Sequence, residues 1–180
     1  MELLDAVKGR RSIRKYEDKP IAHETIEKIV ESARFYPSWK NSGLARFYVI
    51  EGKENIKKYC DSSISDFSFN VGTVENAAAV MVIAFVKGRS GFDRDGSFST
   101  PKEDRWEMFD CGIAAQTFAL CCHEEGIGTC ILGYFDEVKT KEFLGLGDDM
   151  GIGCVIPMGY SSETPNAPRR KEVKDILVFA

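Results

Sequence analysis

Histidine is scarce in this chain, with only His23 and His123 among 180 residues, and the six cysteines form no C-x-x-C pair. A zinc site therefore has little to build from, and two histidines are few for Ser-His or Cys-His nucleophilic chemistry; no metal ligand and no catalytic side chain is assigned. No apolar run approaches the ~20 residues of a membrane span, and the opening MELLDAVKGRRSIRKY has no apolar signal core. Cations are not in excess. The 24 Lys/Arg against 28 Asp/Glu leave a net charge of −4, which argues against a general grip on nucleic acid. Nucleotide fingerprints are missing too. Gly126-Ile127-Gly128 and Gly151-Ile152-Gly153 begin like G-x-G-x-x-G, but Ile131 and Ile156 stand at the sixth position, and neither a phosphate-loop motif nor a G-x-S-x-G elbow occurs.

What remains is a chain of 43% apolar and 29% charged residues, the balance of one ordinary soluble domain spanning 1–180. Cys60, Cys111, Cys121, Cys122, Cys130 and Cys154 mostly sit in apolar stretches. They read as buried, reduced thiols, which sets the expectation of a cytoplasmic protein. Leu3, Leu4 and Val7 share a helical face that ends at Gly9, and Ile26, Ile29, Val30 and Ala33 mark a second amphipathic helix. The stretch 35–45 is a loop by composition, 46–51 a strand and 53–60 a short helix. The polar stretch 61–75 is ambiguous. The run 77–85 suits a strand buried on both faces, and 87–104 is a long loop.

Residues 105–125 are apolar on nearly every side, so a helix there needs cover all round, for which a partner subunit is one natural source. TCIL, 129–132, is a short strand, Asp136 an N-cap for a helix reaching Leu144, and 152–160 another strand. The final DILVFA is strand-like and too apolar for water, so it is expected to join a sheet, of this chain or of another copy. Strands separated by helices give α/β or α+β.

The basic run Arg10-Arg11-Ser12-Ile13-Arg14-Lys15 packs four cations and a hydroxyl into six residues. In an extended conformation Arg10, Ser12 and Arg14 point to one side, a spacing suited to an anion. A solvated basic patch or a nucleic-acid contact is the competing reading. A second cluster, Arg169-Arg170-Lys171, lies near the other end, and both clusters together suit one phosphate.

In this order, the pieces resemble the FMN-dependent nitroreductase family over nearly the whole chain. R-R-S-I-R-K-Y looks like the family's R-x-S-x-R signature, which implies that Arg10, Arg11, Ser12 and Arg14 hold the FMN phosphate, ribityl chain and pyrimidine edge. Pro37-Ser38-Trp39-Lys40-Asn41-Ser42 matches the P-S-x-x-N motif. The likeness implies that this loop, with Pro37, Ser38, Trp39 and Asn41, meets the flavin of a neighbouring subunit in an intertwined homodimer. Asn70 corresponds to an Asn that reaches the pyrimidine ring, but Thr73 stands where a lysine is common, which leaves Arg14 as the main positive group there.

The stretch 110–137 is similar to the long dimerisation helix and the following turn, implying that Ile131, Leu132, Gly133 and Tyr134 run over one flavin face and give an N–H toward N5. Arg169, Arg170 and Lys171 match tail cations that close over the phosphate. Gly43-Leu44-Ala45 replaces the usual Q-P-W, and Tyr134 replaces a second glycine, departures that bear on substrate range. The implied fold is α+β, a mainly antiparallel sheet flanked by helices. The implied activity is a ping-pong oxidoreductase that uses NAD(P)H and bound FMN to reduce a nitroaromatic, quinone or similar small-molecule electron acceptor, with no nucleic acid or membrane partner. Dehalogenation, ene reduction, flavin fragmentation, ferredoxin as donor, or a low-turnover flavin module keep the same fold and stand as alternatives, as does an interaction protein with basic ends.

Overall fold

A computed structural model of the chain describes residues 2–64, 66 and 68–180. In chain order the regular elements are α1 (Leu3–Gly9), α2 (His23–Ala33), β1 (Ala45–Glu51), α3 (Lys53–Ser63), α4 (Ser68–Glu75), β2 (Ala79–Val86), α5 (Arg105–Glu124), β3 (Ile127–Thr129), α6 (Glu137–Leu144) and β4 (Met150–Tyr160). The four strands form one antiparallel sheet in the order β1-β2-β4-β3, and the fold is α+β.

β2 explains the layering. Its side chains alternate between two cores: Ala79, Met81, Ile83 and Phe85 face α2 and α5, while Val80, Val82 and Ala84 face the side covered by α3 and α6. A strand buried on both faces reads as a continuous apolar run, which AVMVIAFV is. The β2–β4 register slips between Ile83 and Ala84, leaving Gly153 of β4 without a partner. A Cβ on Gly153 would lie 2.5 Å from Cys111 Sγ, so α5 packs directly against the bulge.

Five of the six cysteines are buried and all are free thiols. Burial pushes the Cys60 thiol up to about 11 and those of Cys111 and Cys154 up to about 12, as expected of small core hydrophobes rather than nucleophiles. Asp136 caps α6, its Oδ1 accepting from the Lys139 N–H at 3.0 Å.

One expectation is corrected, one open stretch is resolved and one pair of alternatives is narrowed. The third strand is 127–129 rather than 129–132, because β3 pairs with the Met158–Tyr160 end of β4 and only an isolated bridge at Leu132 continues it. Within the ambiguous 61–75 stretch, 68–75 is helical; Ser65 and Phe67 of the same stretch lie outside the described residues. Among the described residues DILVFA pairs with no strand, which leaves its other alternative, a sheet of another copy; a helical turn at Val173–Asp175 leads into it, and Val178 and Phe179 are 84% and 92% exposed.

Candidate cofactor site

The segment after α1 runs along the outer edge of the sheet. Ser12 bridges Thr129 in parallel, the Ile13 N–H donates to the Thr129 carbonyl at 2.9 Å, and Tyr16 bridges Ser161. The attachment depends on a glycine. Ile13 packs so tightly over Gly128 that a Cβ there would sit 2.7 Å from Ile13 Cγ1. From the other side, the Arg14 N–H donates to Glu163 Oε1 at 2.7 Å, and the Tyr16 hydroxyl lies 2.6 and 2.9 Å from the carbonyls of Ile13 and Pro157.

Held this way, the segment is extended and its side chains alternate. Arg10, Ser12 and Arg14 gather near Cys130. Burial raises that thiol's pKa, while the Arg14 charge, a hydrogen bond from Ser12 and the Arg10 charge pull it down. Arg11 has the opposite parity. Its Nη1 donates to the carbonyls of Lys8 at 2.6 Å and Arg10 at 2.9 Å, closing the C-terminal end of α1. The segment also borders a cleft of about 520 Å³ whose lining includes Arg10, Arg11, Ile13, His123 and Gly128. Burial, then the charges of Arg10 and Arg11, holds the His123 imidazole below its ordinary pKa.

Beyond Thr129 the sheet edge opens. Cys130 and Leu132 direct their N–H groups to Pro157 and Val155 of β4, so by antiparallel alternation the N–H groups of Ile131 and Gly133 face away from the sheet. Ile131 and Tyr134 are exposed, and a Cβ on Gly133 would meet nothing within 4 Å. Asn70, buried in α4, donates from its side-chain amide to the Tyr134 carbonyl at 3.3 Å. Thr73 is also buried and brings no charge to this place.

The donor set fits a phosphorylated planar ring. Two guanidinium groups and a hydroxyl converge beside a backbone edge with outward N–H groups, and the space over Gly133 is clear. These are the features needed to hold an anion at one end and a flat heteroaromatic at the other.

The other predicted site residues lie elsewhere. Trp39–Asn41 form a short 3-10 turn, with Lys40 and Asn41 at φ of 47° and 55°. Ser38 Oγ accepts from the Gly43 N–H at 3.0 Å, and the Trp39 N–H donates to Asp110 Oδ2 at 2.8 Å. The Trp39 ring stands edge-on to Trp106, 5.1 Å between centroids, and its buried Nε1 has no acceptor among the described residues. This loop sits by the first turns of α5, whereas the Arg10 segment sits by His123 in its last turn. From Asp110 to His123 the helix axis rises roughly 20 Å at about 1.5 Å per residue. Arg169, Arg170 and Lys171 line a separate shallow concavity with Glu172 and Asp175. Within one chain, then, Arg10, Ser12, Arg14, Asn70 and 131–134 come together, while the 37–41 loop and the tail cations do not join them. Asp110 and Glu163 hold the site's segments and were not anticipated. In the sequence Asp110 is only a carboxylate within a mostly apolar helix; its burial to 1% exposure appears in the structure alone.

The sequence profile of the Nitroreductase family matches residues 7–160. An Archaeoglobus fulgidus protein named "Putative NADH dehydrogenase/NAD(P)H nitroreductase" is 30% identical over 166 residues, covering 90% of this chain and 87% of that one. A nitroreductase family protein from Streptococcus pneumoniae TIGR4 superposes with a TM-score of 0.87 at 19% identity, covering 99% of this chain and 100% of that one. A protein of Exiguobacterium sibiricum 255-15, solved in complex with FMN, gives 0.83 at 22% identity, covering 100% and 98%. At these identities the two structures establish the shared fold.

Proposed function

The chain belongs to the Nitroreductase family, and from that membership and the local geometry we propose that it is an FMN-dependent oxidoreductase that takes electrons from NAD(P)H and passes them to a nitroaromatic, a quinone or a similar acceptor. The observation that carries this reading is the gathering of Arg10, Ser12 and Arg14 beside the open backbone edge at 131–133. FMN held by these residues would supply the hydride and electron chemistry.

The protein's part is binding, orientation and electrostatics. Arg10 and Ser12 take the phosphate and ribityl end, and Arg14 supplies positive charge where a reduced flavin carries negative charge. The outward N–H groups of Ile131 and Gly133 are donors toward the ring, and Asn70, braced by the Tyr134 carbonyl, reads its polar edge. Tyr134, 57% exposed, narrows the space left for an acceptor. No side chain is needed as a general acid. The same reading makes the working form a homodimer, in which Ser38 and Asn41 of one copy, with Pro37 and Trp39, meet the flavin of the other and the tail cations Arg169–Lys171 close over its phosphate.

The test is an absorbance spectrum and FMN titration of the purified chain, followed by donor comparison. A flavin band, and NADH or NADPH oxidation on adding a nitroarene or menadione, are expected. A chain that takes up no FMN overturns the proposal, and turnover with reduced ferredoxin but neither nicotinamide overturns its donor half.

A further inference from the structure

α5 is apolar over most of its length, yet it buries two carboxylates, Glu107 and Asp110, at 5% and 1% exposure. Such groups are costly unless hydrogen-bonded. Both are bonded, and both bonds run to loops. Glu107 Oε1 accepts from the Gly88 N–H at 2.6 Å. Asp110 Oδ2 accepts from the Trp39 N–H at 2.8 Å and from the fully buried Ser90 hydroxyl. A single oxygen of Asp110 thus joins α5, the 38–42 loop and the base of the 87–104 loop.

The loop it holds is a strained one. Lys40 and Asn41 occupy the left-handed region, which residues with side chains adopt only where their surroundings enforce it. The other restraints are weaker. The Lys40–Asp93 ion pair at 2.7 Å has side chains 59% and 47% exposed and is discounted by solvent. The Ser38 bond to Gly43 is local to the loop. Asp110 is the buried tether at the turn's first residue.

We propose that Asp110 is a positioning residue for the cofactor site of the other copy in the dimer: it fixes the 38–41 loop of its own chain in the shape that meets the flavin held on the partner's Arg10–Arg14 segment. This rests on the shared-site flavin reading given above. Each flavin would then depend on Arg14 of one chain and Asp110 of the other.

Wild-type protein is first titrated with FMN by fluorescence quenching; no uptake overturns the flavin reading, and this proposal with it. Given uptake, Asp110→Ala weakens FMN affinity roughly tenfold or more by leaving two donors unpaired. Asp110→Asn, whose amide oxygen accepts both bonds, stays within about threefold of wild type. If the alanine variant does not fold, Asp110→Ser, too short to reach Trp39, takes its place. Wild-type affinity in the truncated variant, or a loss in Asp110→Asn equal to it, overturns the proposal.

Mixed dimers carrying Arg14→Ala on one chain and Asp110→Ala on the other, purified on two different tags, give the decisive measurement. If Asp110 acts across the interface, one site in each mixed dimer is wholly intact, and half the sites bind FMN with wild-type affinity. If it acts only within its own chain, neither site is intact and no tight binding is seen.

Discussion

Arg10, Arg11 and Arg14 are identical side chains within five positions, and their surroundings separate them. The extended backbone gives Arg10, Ser12 and Arg14 one face and Arg11 the other, where it donates to the Lys8 and Arg10 carbonyls. Arg14→Ala removes a charge-assisted donor from the proposed site, a loss of about 1.5–3 kcal/mol, or roughly ten- to a hundredfold in FMN affinity. Arg11→Ala is expected to leave that affinity within about threefold of wild type and to act through the end of α1 instead. Parallel FMN titrations and thermal melts of the two variants check both outcomes. Equal losses of affinity would count against the parity assignment.

His123 gives a pH dependence at the same scale. Burial, then Arg10 and Arg11, lowers its folded pKa, so between that value and the unfolded value of about 6.5 the unfolded chain binds more protons. Its contribution to stability is complete above the unfolded pKa and is lost as pH falls toward the folded one. His123→Gln is therefore expected to lose less Tm than wild type between pH 7 and pH 5. A steeper loss in the variant would reverse the sign.

At the level of elements, the site is an edge partly covered and partly left open. The 12–13 segment covers β3 as far as Thr129 and stops, leaving 131–133 bare. Gly128 sets how closely that cover approaches, since a Cβ there would fall within 3.0 Å of three Ile13 carbons. Gly128→Ala has to push the 10–14 segment outward, and overpacking of this kind costs about 1–3 kcal/mol. The expected result is a lower Tm together with weaker FMN binding. A variant with weakened stability but unchanged affinity would separate the edge from the cofactor.

The sequence made much of this legible for a physical reason: where structure is local, pattern reports it. The period of three and four in α2, the unbroken apolar β2 and the Asp136 cap were all readable. What was not readable depends on distant partners. β3 begins at Ile127 because β4 pairs with it there. The apolar residues of SFNVGTVE follow no helical period, so α4 gave no signal. The weight carried by Asp110 is invisible until Trp39 and Ser90 are brought to it.

At the scale of the whole molecule, the family resemblance assigns the flavin two groups of contacts that one chain keeps at opposite ends of α5, roughly 20 Å apart along its axis. The dimer proposed above would reunite them. Met108 and Phe109 of α5 are 51% and 56% exposed, and the tail carries exposed Ile176, Leu177, Val178 and Phe179, apolar surface that such a dimer would cover. Phe109 tests the link between assembly and cofactor. It touches the Trp106 ring at 4.9 Å but belongs to neither buried core, so Phe109→Asp places a charge in the proposed interface without opening a cavity in the fold. Sedimentation is expected to show a dimer for wild type and a monomer for the variant, with the same far-UV circular dichroism. If each site is built from two chains, FMN affinity falls with the dimer and recovers as protein concentration is raised, because association and binding are then linked. A folded monomer that binds FMN as tightly as wild type would place the whole site within one chain and leave the 37–41 loop without a part in it.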